Sequence, residues 1–490
     1  MQKIESIEQL PFKISPWKHQ LEGLRRAGAR IDSPHTNNEF AAFFEAGAGK
    51  TLWAVNVLRY ICLKEGRVVP TVIFCPAVVC KNWLTEIELH SKLLPYAFHS
   101  KGSGKKRLKD LQDAVSQGKK IIILNYEAIA KKDAPVFTYL LNSFRPHCLI
   151  YDESHRLKNH SSKTSINAWK LSMISEARFL LSGTPILNNE MDIFAQYRAL
   201  DCGQTFGHKF FPFRMKYFAD RNAGMPTQKY FPDWRIKAGA ADTLNKLIYN
   251  KAMRVKKEDC LDLPPFVRKE VKVELTGDQK KAYKSMEAHF ITFINGEACT
   301  AKIALTKALR LQQIACGFCV SEDGDEVVLK ENAKLKALLD LLCDLESVKV
   351  IVWASFRKNH RQIAALLHTK GIDFVQLTGE TKAADKAAAI DRFQNDPSCR
   401  VFLGNQAAGG IGVNLTAASV AIYFSKSFSL EQDIQSEARN YRGGSERHKS
   451  ITRIDLVAED TIDETVTKAL ARKIDISENI LKELRRDFSR

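Results

Sequence analysis

The chain has 490 residues, a formal net charge of +18 and a hydrophobic content of 45%. This length and apolar content provide for two or three folded domains, and no apolar run reaches the roughly 18 residues of a membrane span, which excludes a membrane-spanning protein. The N-terminal segment has no apolar signal core, so we expect a cytoplasmic protein, or a nuclear one in a eukaryote. The positive charge favours a polyanionic partner without distinguishing DNA from RNA.

Short β-branched and apolar runs alternate with longer helix-like segments along the chain, which is the pattern of a mostly parallel sheet. In the first half we predict strands at 39–44, 71–74, 121–124, 148–151 and 179–181. In the second half we predict strands at 349–353, 374–377, 400–403, 420–424 and 451–457. The predicted fold class is therefore α/β, with two parallel-sheet lobes, a cleft between them and helical insertions.

The predicted domains follow from where the strand signals become sparse. We place the first lobe at 1–275 with a helical protrusion at about 196–252, and the second lobe at 276–470 with a helical insertion at about 276–332. A C-terminal helix is predicted at 471–490. The 11 cysteines are scattered and several lie in predicted strands, so we interpret them as reduced thiols. One CxxC pair, Cys316 and Cys319, lacks a second pair, so no zinc site is expected.

A glycine-rich loop, Gly47-Ala-Gly-Lys-Thr51, follows the first predicted strand and precedes a helix-like run. In this context the backbone N–H groups of Gly47, Ala48 and Gly49 can surround phosphates at a helix N-terminus. Lys50 would reach the β- and γ-phosphates, and the hydroxyl of Thr51 would bind Mg²⁺. Phe44 stands where the full pattern has its first glycine, so a glycine-rich turn without this role remains an alternative.

Two adjacent acids, Asp152 and Glu153, follow the strand predicted at 148–151. Ligands bind at the carboxyl ends of strands in open α/β sheets. Asp152 is placed to hold Mg²⁺, and Glu153 is placed to orient or deprotonate an attacking water.

Near the C-terminus, Gln435, Arg439 and Arg442 have the spacing i, i+4 and i+7, so on a helix they would share one face. An arginine from the second lobe could stabilise charge on a transferring phosphoryl group. By spacing alone, a pair of solvated arginines is the favoured interpretation.

These motifs resemble those of the Swi/Snf family of helicase superfamily two, in that family's order, from about residue 16 to residue 470. The segments Asp152 to Asn159 and Leu181 to Asn189 resemble motifs II and III and are the most specific. Residues 43–51 resemble the family's nucleotide loop, which likewise lacks the first glycine. The other segments are Pro16 to Gln20 (adenine-reading segment), Cys75 to Trp83 (motif Ia), Gln376 to Gly379 (motif IVa), Gly404 to Thr416 (motif V) and Gln435 to Arg442 (motif VI). The compactness of the chain resembles that of bacterial or phage members.

The resemblance implies two RecA-like lobes that hydrolyse ATP, with Mg²⁺ as the second cofactor. The implied catalytic residues are Lys50, Asp152, Glu153, Arg439 and Arg442. The implied ATP-binding residues are Gln20, Gly47, Ala48, Gly49, Lys50, Thr51, Gly410 and Gln435. Thr51 and Asp152 are the implied Mg²⁺ ligands.

The resemblance also implies residues that couple hydrolysis to movement and residues that hold nucleic acid. The implied coupling residues are His155, Ser182, Gly183 and Thr184. The implied nucleic-acid contacts are Lys81, Asn82, Trp83, Thr378, Gly379 and Asn405. For Trp83, packing in the core is an alternative to contact with nucleic acid.

The implied function is that of an ATP-dependent translocase on double-stranded DNA that remodels DNA structures or protein–DNA complexes by closing its lobes. The expected partner is double-stranded or forked DNA in preference to RNA, and the expected state is a monomer. Two alternatives stay open: a DExH helicase that separates DNA or RNA strands, and a nucleotide-switched scaffold that binds DNA.

Overall fold

The structure is a computed structural model, and it describes residues 3–35, 38–100, 102–130, 133–187, 189–225, 232–294, 301–320, 325–379, 381, 383–407 and 413–480. The chain divides into two compact units. The first contains Met1–Leu261 and Lys473–Arg490, and the second contains Asp262–Arg472.

The first unit is built on a parallel sheet of seven strands. Its strands are β1 (Glu39–Phe44), β2 (Thr71–Cys75), β3 (Ala97–His99), β4 (Ile121–Asn125), β5 (Cys148–Asp152), β6 (Ala177–Leu181) and β9 (Ala252–Val255). Their spatial order is β3-β4-β2-β5-β6-β1-β9. Strands β1, β2, β5 and β6 are buried along their whole length, which is why their sequences are continuous apolar runs and not alternating ones.

Helices cover both faces of this sheet, and each face has its own apolar core. The helices of the first unit are α1 (Lys18–Asp32), α2 (Lys50–Glu65), α3 (Cys80–His90), α4 (Gly104–Ser116), α5 (Ala134–Tyr139), α6 (Lys163–Ser172), α7 (Ile193–Asp201), α8 (Phe210–Tyr217) and α9 (Ala240–Tyr249). This arrangement confirms the α/β class predicted for the first half of the chain.

The predicted protrusion contains α8, α9 and a short antiparallel hairpin of β7 (Phe218–Asp220) with β8 (Trp234–Ile236). Phe213 of α8 packs against Phe194 of α7 and against Phe206, which follows α7, with ring centroids 5.1 Å apart in each pair. Arg214 lies over the ring of Trp234 at 4.2 Å, so this basic side chain covers aromatic surface.

The second unit is built on a parallel sheet of six strands. Its strands are β10 (Phe266–Val273), β13 (Val350–Trp353), β14 (Phe374–Leu377), β15 (Val401–Gly404), β16 (Val420–Tyr423) and β17 (Ile451–Ala458), in the spatial order β10-β17-β16-β13-β15-β14. Beside the sheet, β11 (Phe318–Val320) and β12 (Glu326–Val328) form an antiparallel hairpin.

The boundary between the units lies earlier than the predicted residue 275. Strand β10 pairs with β17 along its whole length, from Phe266 with Ile451 to Val273 with Ala458. Residues that we assigned to the end of the first lobe therefore form the edge strand of the second sheet, and the division falls between Leu261 and Asp262.

The second unit contains the helices α10 (Gly277–Ile294), α11 (Ala301–Ala315), α12 (Ala333–Asp344), α13 (Arg357–Thr369), α14 (Ala383–Asn395) and α15 (Leu430–Glu437). Helix α16 (Ile462–Ile480) begins in the second unit, and its residues from Lys473 onward belong to the first. The helix predicted to begin at residue 471 in fact begins at Ile462, and residues 481–490 lie outside the described residues. Among the residues that the structure describes, no helix is long and apolar enough to cross a membrane.

Candidate nucleotide and nucleic-acid site

The glycine-rich loop joins β1 to α2, as the sequence predicts. Gly47 and Gly49 have φ values of 95° and 74°, a backbone conformation that side-chain-bearing residues rarely adopt. Helix α2 starts at Lys50, so Lys50 and Thr51 form its first turn. A left-handed loop that ends on a helix N-terminus directs backbone N–H groups towards one point, which is the geometry of an anion site.

Helix α1 packs directly on this loop. Gln20 Nε2 donates to the carbonyl oxygen of Gly49 at 3.1 Å, and Gln20 Oε1 accepts from the backbone N–H of Trp17 at 2.8 Å. His19 Nε2 donates to the carbonyl oxygen of Ala48 at 2.9 Å, while burial lowers the pKa of His19. Gln20 therefore contacts the predicted nucleotide loop by donating to a backbone carbonyl group of the loop.

The same packing accounts for Phe44 at the position of the missing glycine. Its side chain is buried between the rings of His19 and Trp53, with centroid distances of 5.6 and 5.9 Å. Gly23 of α1 approaches so closely that a Cβ there would lie 3.0 Å from Phe44 and 2.9 Å from Trp53. Phe44 thus packs against α1 below the loop and is not part of the loop itself.

Asp152 ends β5 with a buried carboxylate whose two oxygens each accept a hydrogen bond. Oδ1 accepts from the backbone N–H of Glu153 at 3.0 Å, and Oδ2 accepts from Trp83 Nε1 at 3.0 Å. Burial, and to a lesser extent the Glu153 carboxylate, raises the pKa of Asp152 to about 6, although Lys50 and the indole N–H of Trp83 act to lower it. Lys50 is thus close enough to Asp152 for its charge to matter.

The prediction that Trp83 contacts nucleic acid is wrong. Trp83 is only 1% exposed and packs in the core between α3 and the sheet, with its single polar atom directed at Asp152. Its neighbours Lys81 and Asn82, in the same first turn of α3, are exposed, so these two remain predicted contacts.

The acidic pair is connected to the segment after β6. Glu153 has a φ of 51°, and His155 Nδ1 lies 3.4 Å from Glu153 Oε2 and 3.3 Å from Ser182 Oγ. Ser182 Oγ also accepts from the backbone N–H of Thr184 at 3.2 Å. His155 and Ser182 are both almost completely buried, so this bridge is fixed by packing.

Gly183 brings that segment onto the nucleotide loop. A Cβ on Gly183 would lie 3.3 Å from Glu45 Cα and 3.3 Å from the carbonyl oxygen of Phe44. Strand β6 lies between β1 and β5, and all three are parallel, so their carboxyl ends meet at one edge of the sheet. The structure therefore brings together the loop, the acidic pair and the Ser182 to Thr184 segment.

One linking residue was not recognised in the sequence. Gln196 of α7 accepts from Ser154 Oγ at 2.8 Å and donates from Nε2 to the carbonyl oxygen of Pro185 at 2.6 Å. The signal was Ser154 itself, whose hydroxyl needs a hydrogen-bond partner when it is buried.

In the second unit, three of the predicted residues lie at the carboxyl edge of the sheet. Thr378 and exposed Gly379 follow β14, and Asn405 follows β15. Asn405 Nδ2 donates to the carbonyl oxygen of Ser355 at 3.1 Å, which joins the ends of neighbouring strands. Gly410 lies outside the described residues.

The prediction that Gln435, Arg439 and Arg442 share one helix face is wrong. Helix α15 ends at Glu437, and Arg439 and Arg442 lie in the turns that follow. The carbonyl oxygen of Arg439 accepts from the backbone N–H of Leu415 at 2.9 Å, a tertiary contact that replaces a further helical turn. Gln435 stays on α15, where its Nε2 donates to Glu431 at 3.4 Å.

A buried ion network supports α15 from below. Arg453 of β17 is 2% exposed on its side chain and forms salt bridges to Asp433 at 2.8 Å, Asp455 at 2.9 Å and Glu437 at 3.1 Å. Its guanidinium also lies 3.8 Å above the ring of Tyr423. The network fixes the helix from which the Arg439 segment emerges.

The residues of the first unit fit a magnesium–nucleotide ligand. The left-handed loop and the N-terminus of α2 suit phosphate groups, and the hydroxyl of Thr51 and the carboxylate of Asp152 are the hard oxygen donors that Mg²⁺ prefers. Each oxygen of Asp152 accepts one hydrogen bond in the structure and so keeps capacity for a second partner.

Comparisons with known proteins identify the family of the chain. The family model of the SNF2-related domain matches residues 42–318, more than half of the chain, and the model of the helicase conserved C-terminal domain matches residues 333–444. The mouse chromodomain-helicase-DNA-binding protein 1-like is 27% identical over 482 residues, which cover 95% of this chain and 50% of the mouse protein. The SWI/SNF chromatin-remodeling complex subunit snf22 of Schizosaccharomyces pombe is 26% identical over 462 residues, covering 89% of this chain and 26% of the yeast protein.

The chain thus spans about half the length of the mouse relative and about a quarter of the yeast one. Among solved structures, the Sulfolobus solfataricus SWI2/SNF2 ATPase core in complex with dsDNA is 23% identical, with 96% of this chain and 95% of that chain covered and a TM-score of 0.42. That score is too low to support the fold, which rests on the two parallel sheets. With motifs in family order and the SNF2-related model matching most of its length, the chain belongs to the SNF2-related family of ATP hydrolases in helicase superfamily two.

Proposed function

We propose that this chain is a DNA-dependent ATPase that moves along double-stranded DNA and thereby remodels DNA structures or protein–DNA complexes. One observation carries the proposal: at a single sheet edge, His155 bridges Glu153 to Ser182 while Gly183 contacts the nucleotide loop. His155 thus contacts Glu153, the acid that would act on water, and Ser182, whose segment would transmit a change in nucleotide state.

In the proposed reaction, the loop and Lys50 hold the phosphates of ATP, and Thr51 and Asp152 hold Mg²⁺. When bound, Mg²⁺ would neutralise charge on the β- and γ-phosphate oxygens. Glu153 orients the attacking water and accepts its proton. Glu153 Oε2 lies 3.4 Å from His155 Nδ1, which in turn contacts Ser182 Oγ. Movement of the Glu153 carboxylate towards water would therefore change the contact between His155 and Ser182.

The second lobe has two roles in the proposal. Arg439 and Arg442 stabilise the transferring phosphoryl group when the lobes close, and Gln435 and Gly410 contribute to ATP binding. Arg439 and Arg442 lie in the segment that follows α15, and the Arg453 network holds that helix in place.

The proposed nucleic-acid contacts are five residues with polar or backbone groups suited to phosphates: Lys81, Asn82, Thr378, Gly379 and Asn405. The net charge of +18 favours such a polyanion, and two relatives carry the words DNA-binding and chromatin-remodeling in their names. These features support duplex DNA as the partner.

The proposal is tested by the steady-state ATPase rate without nucleic acid and with single-stranded DNA, duplex DNA, forked DNA and structured RNA. The Glu153→Gln variant serves as the blank for hydrolysis. We expect duplex or forked DNA to stimulate hydrolysis most strongly. A rate that depends on RNA or single strands alone would indicate a strand-separating helicase, and DNA binding switched by nucleotide without turnover would indicate a scaffold.

A further inference from the structure

In the part of the chain that the structure describes, Trp83 is the side chain of α3 that hydrogen-bonds to the acidic pair. Its indole N–H has no acceptor function, so it can bond the Asp152 carboxylate but can never compete with it for a cation. A water or hydroxyl at the same place could rotate and offer a lone pair instead. In this contact Trp83 can therefore only donate, and Asp152 can only accept.

We propose that Trp83 is a positioning residue that holds the Asp152 carboxylate in the orientation in which it binds magnesium–nucleotide. This inference rests on the proposed ATPase function. The two donors to Asp152 come from different elements: the backbone N–H of Glu153 fixes Oδ1, and Trp83 Nε1 fixes Oδ2. With both oxygens bonded at 3.0 Å, the plane of the carboxylate is set before any ligand arrives.

The indole itself is held by its surroundings. Strands β2 and β5 are neighbours, with Phe74 opposite Tyr151, so the end of β2 lies beside Asp152. The chain then turns through the four residues 76–79 into α3, where Cys80 and Trp83 pack in the core of the first unit. Trp83 is 1% exposed, so its two side-chain torsions are fixed by neighbours and its N–H cannot swing to solvent.

Removal of the N–H would leave Oδ2 with one donor fewer while leaving the apolar contacts largely in place. Asp152 could then rotate, and part of the binding energy of the cation would be spent on ordering it again. A hydrogen bond to a charged group contributes enough to change an equilibrium constant by about tenfold or more. We expect that loss in magnesium-dependent nucleotide binding and not in nucleotide binding as such, since the loop contacts phosphate directly.

The experiment measures the affinity of the full chain for a fluorescent ADP analogue, in Mg²⁺ and in EDTA. The variants are Trp83→Phe and replacement of Trp83 by benzothienylalanine, which keeps the indole shape and has sulfur in place of N–H. The matched control is Trp353→Phe, because Trp353 is equally buried in the second unit and its Nε1 has no hydrogen-bond partner among the described residues.

We expect both changes at Trp83 to reduce the gain in affinity due to Mg²⁺ by about tenfold, with the affinity in EDTA unchanged. Trp353→Phe should keep the full gain. If the benzothienyl protein keeps the full gain as well, the positioning role is refuted, even where Trp83→Phe is unstable. If the unaltered chain shows no gain from Mg²⁺, the proposed ATPase function fails first, and that result is distinct from the failure of Trp83 alone.

Discussion

Substitution of Gly49 by alanine tests the packing of α1 on the nucleotide loop. Gly49 has a φ of 74°, and a Cβ there would lie 2.0 Å from Gln20 Nε2. The left-handed backbone costs a residue with a Cβ about 1–2 kcal/mol. Because the clashing atom is the end of a flexible side chain, Gln20 can move away, at the loss of its bonds to Gly49 and Trp17, about 1 kcal/mol each.

Gly49→Ala should therefore destabilise the first unit by roughly 3–4 kcal/mol. Gly371→Ala is the matched control, since Gly371 has a φ of 64° with nothing within 4 Å of its Cβ position, and it should show the backbone cost alone. Chemical denaturation followed separately in the two units measures both changes.

A double-mutant cycle with Gln20→Ala isolates the clash. Once Gln20 is truncated, Gly49→Ala has no side chain to displace, so its cost should fall to that of the control. The cycle should give a coupling of about 2 kcal/mol, the value of the two lost bonds. Strict additivity of the two substitutions would refute the packing described for Gln20.

Three further predictions follow from other contacts. Ser182→Ala removes a partner of His155, and we expect at least tenfold less DNA stimulation of the ATPase with unchanged nucleotide affinity, whereas unchanged stimulation would exclude this bridge from coupling. Asp152 has a pKa of about 6 and binds a cation only when ionised, so at low Mg²⁺ the rate should fall as pH drops through 6. Saturating Mg²⁺ should move that fall in rate to lower pH. If the fall stays at the same pH in saturating Mg²⁺, a group other than Asp152 causes it. Arg453→Met removes the ion-pair partner of the buried Asp433, while Asp455 keeps Lys426 and Glu437 keeps Arg268. It should destabilise the second unit by about 3–5 kcal/mol in thermal unfolding, and a change near zero would show that the network is dispensable.

The sequence predicts the central strands because burial on both faces makes them continuous apolar runs. Strand β10 (Phe266–Val273) could not be recognised in that way, since half of its residues are charged and most are exposed, and its partner among the described residues, β17, lies far along the chain. Pairing over such a distance leaves no local pattern. The misplaced lobe boundary is a consequence.

For the site too, the sequence predicts what local connections decide and fails where tertiary contacts decide. Motif order placed the loop and Asp152 correctly at strand ends, because those positions depend on local strand-to-helix connections. The direction of Trp83 depends on which face of α3 meets the sheet, and the conformation of Arg439 depends on a bond from Leu415, so tertiary contacts decided both. Spacing alone could not supply them.

Movement along duplex DNA is measured most directly by displacement of a third strand from a duplex, with ATP, with a non-hydrolysable analogue, and with the Glu153→Gln variant. We predict that the chain releases the third strand only with ATP, that the duplex beneath stays paired, and that Glu153→Gln releases none. Stimulated hydrolysis without release of the third strand, or separation of the duplex itself, would contradict the proposed translocase.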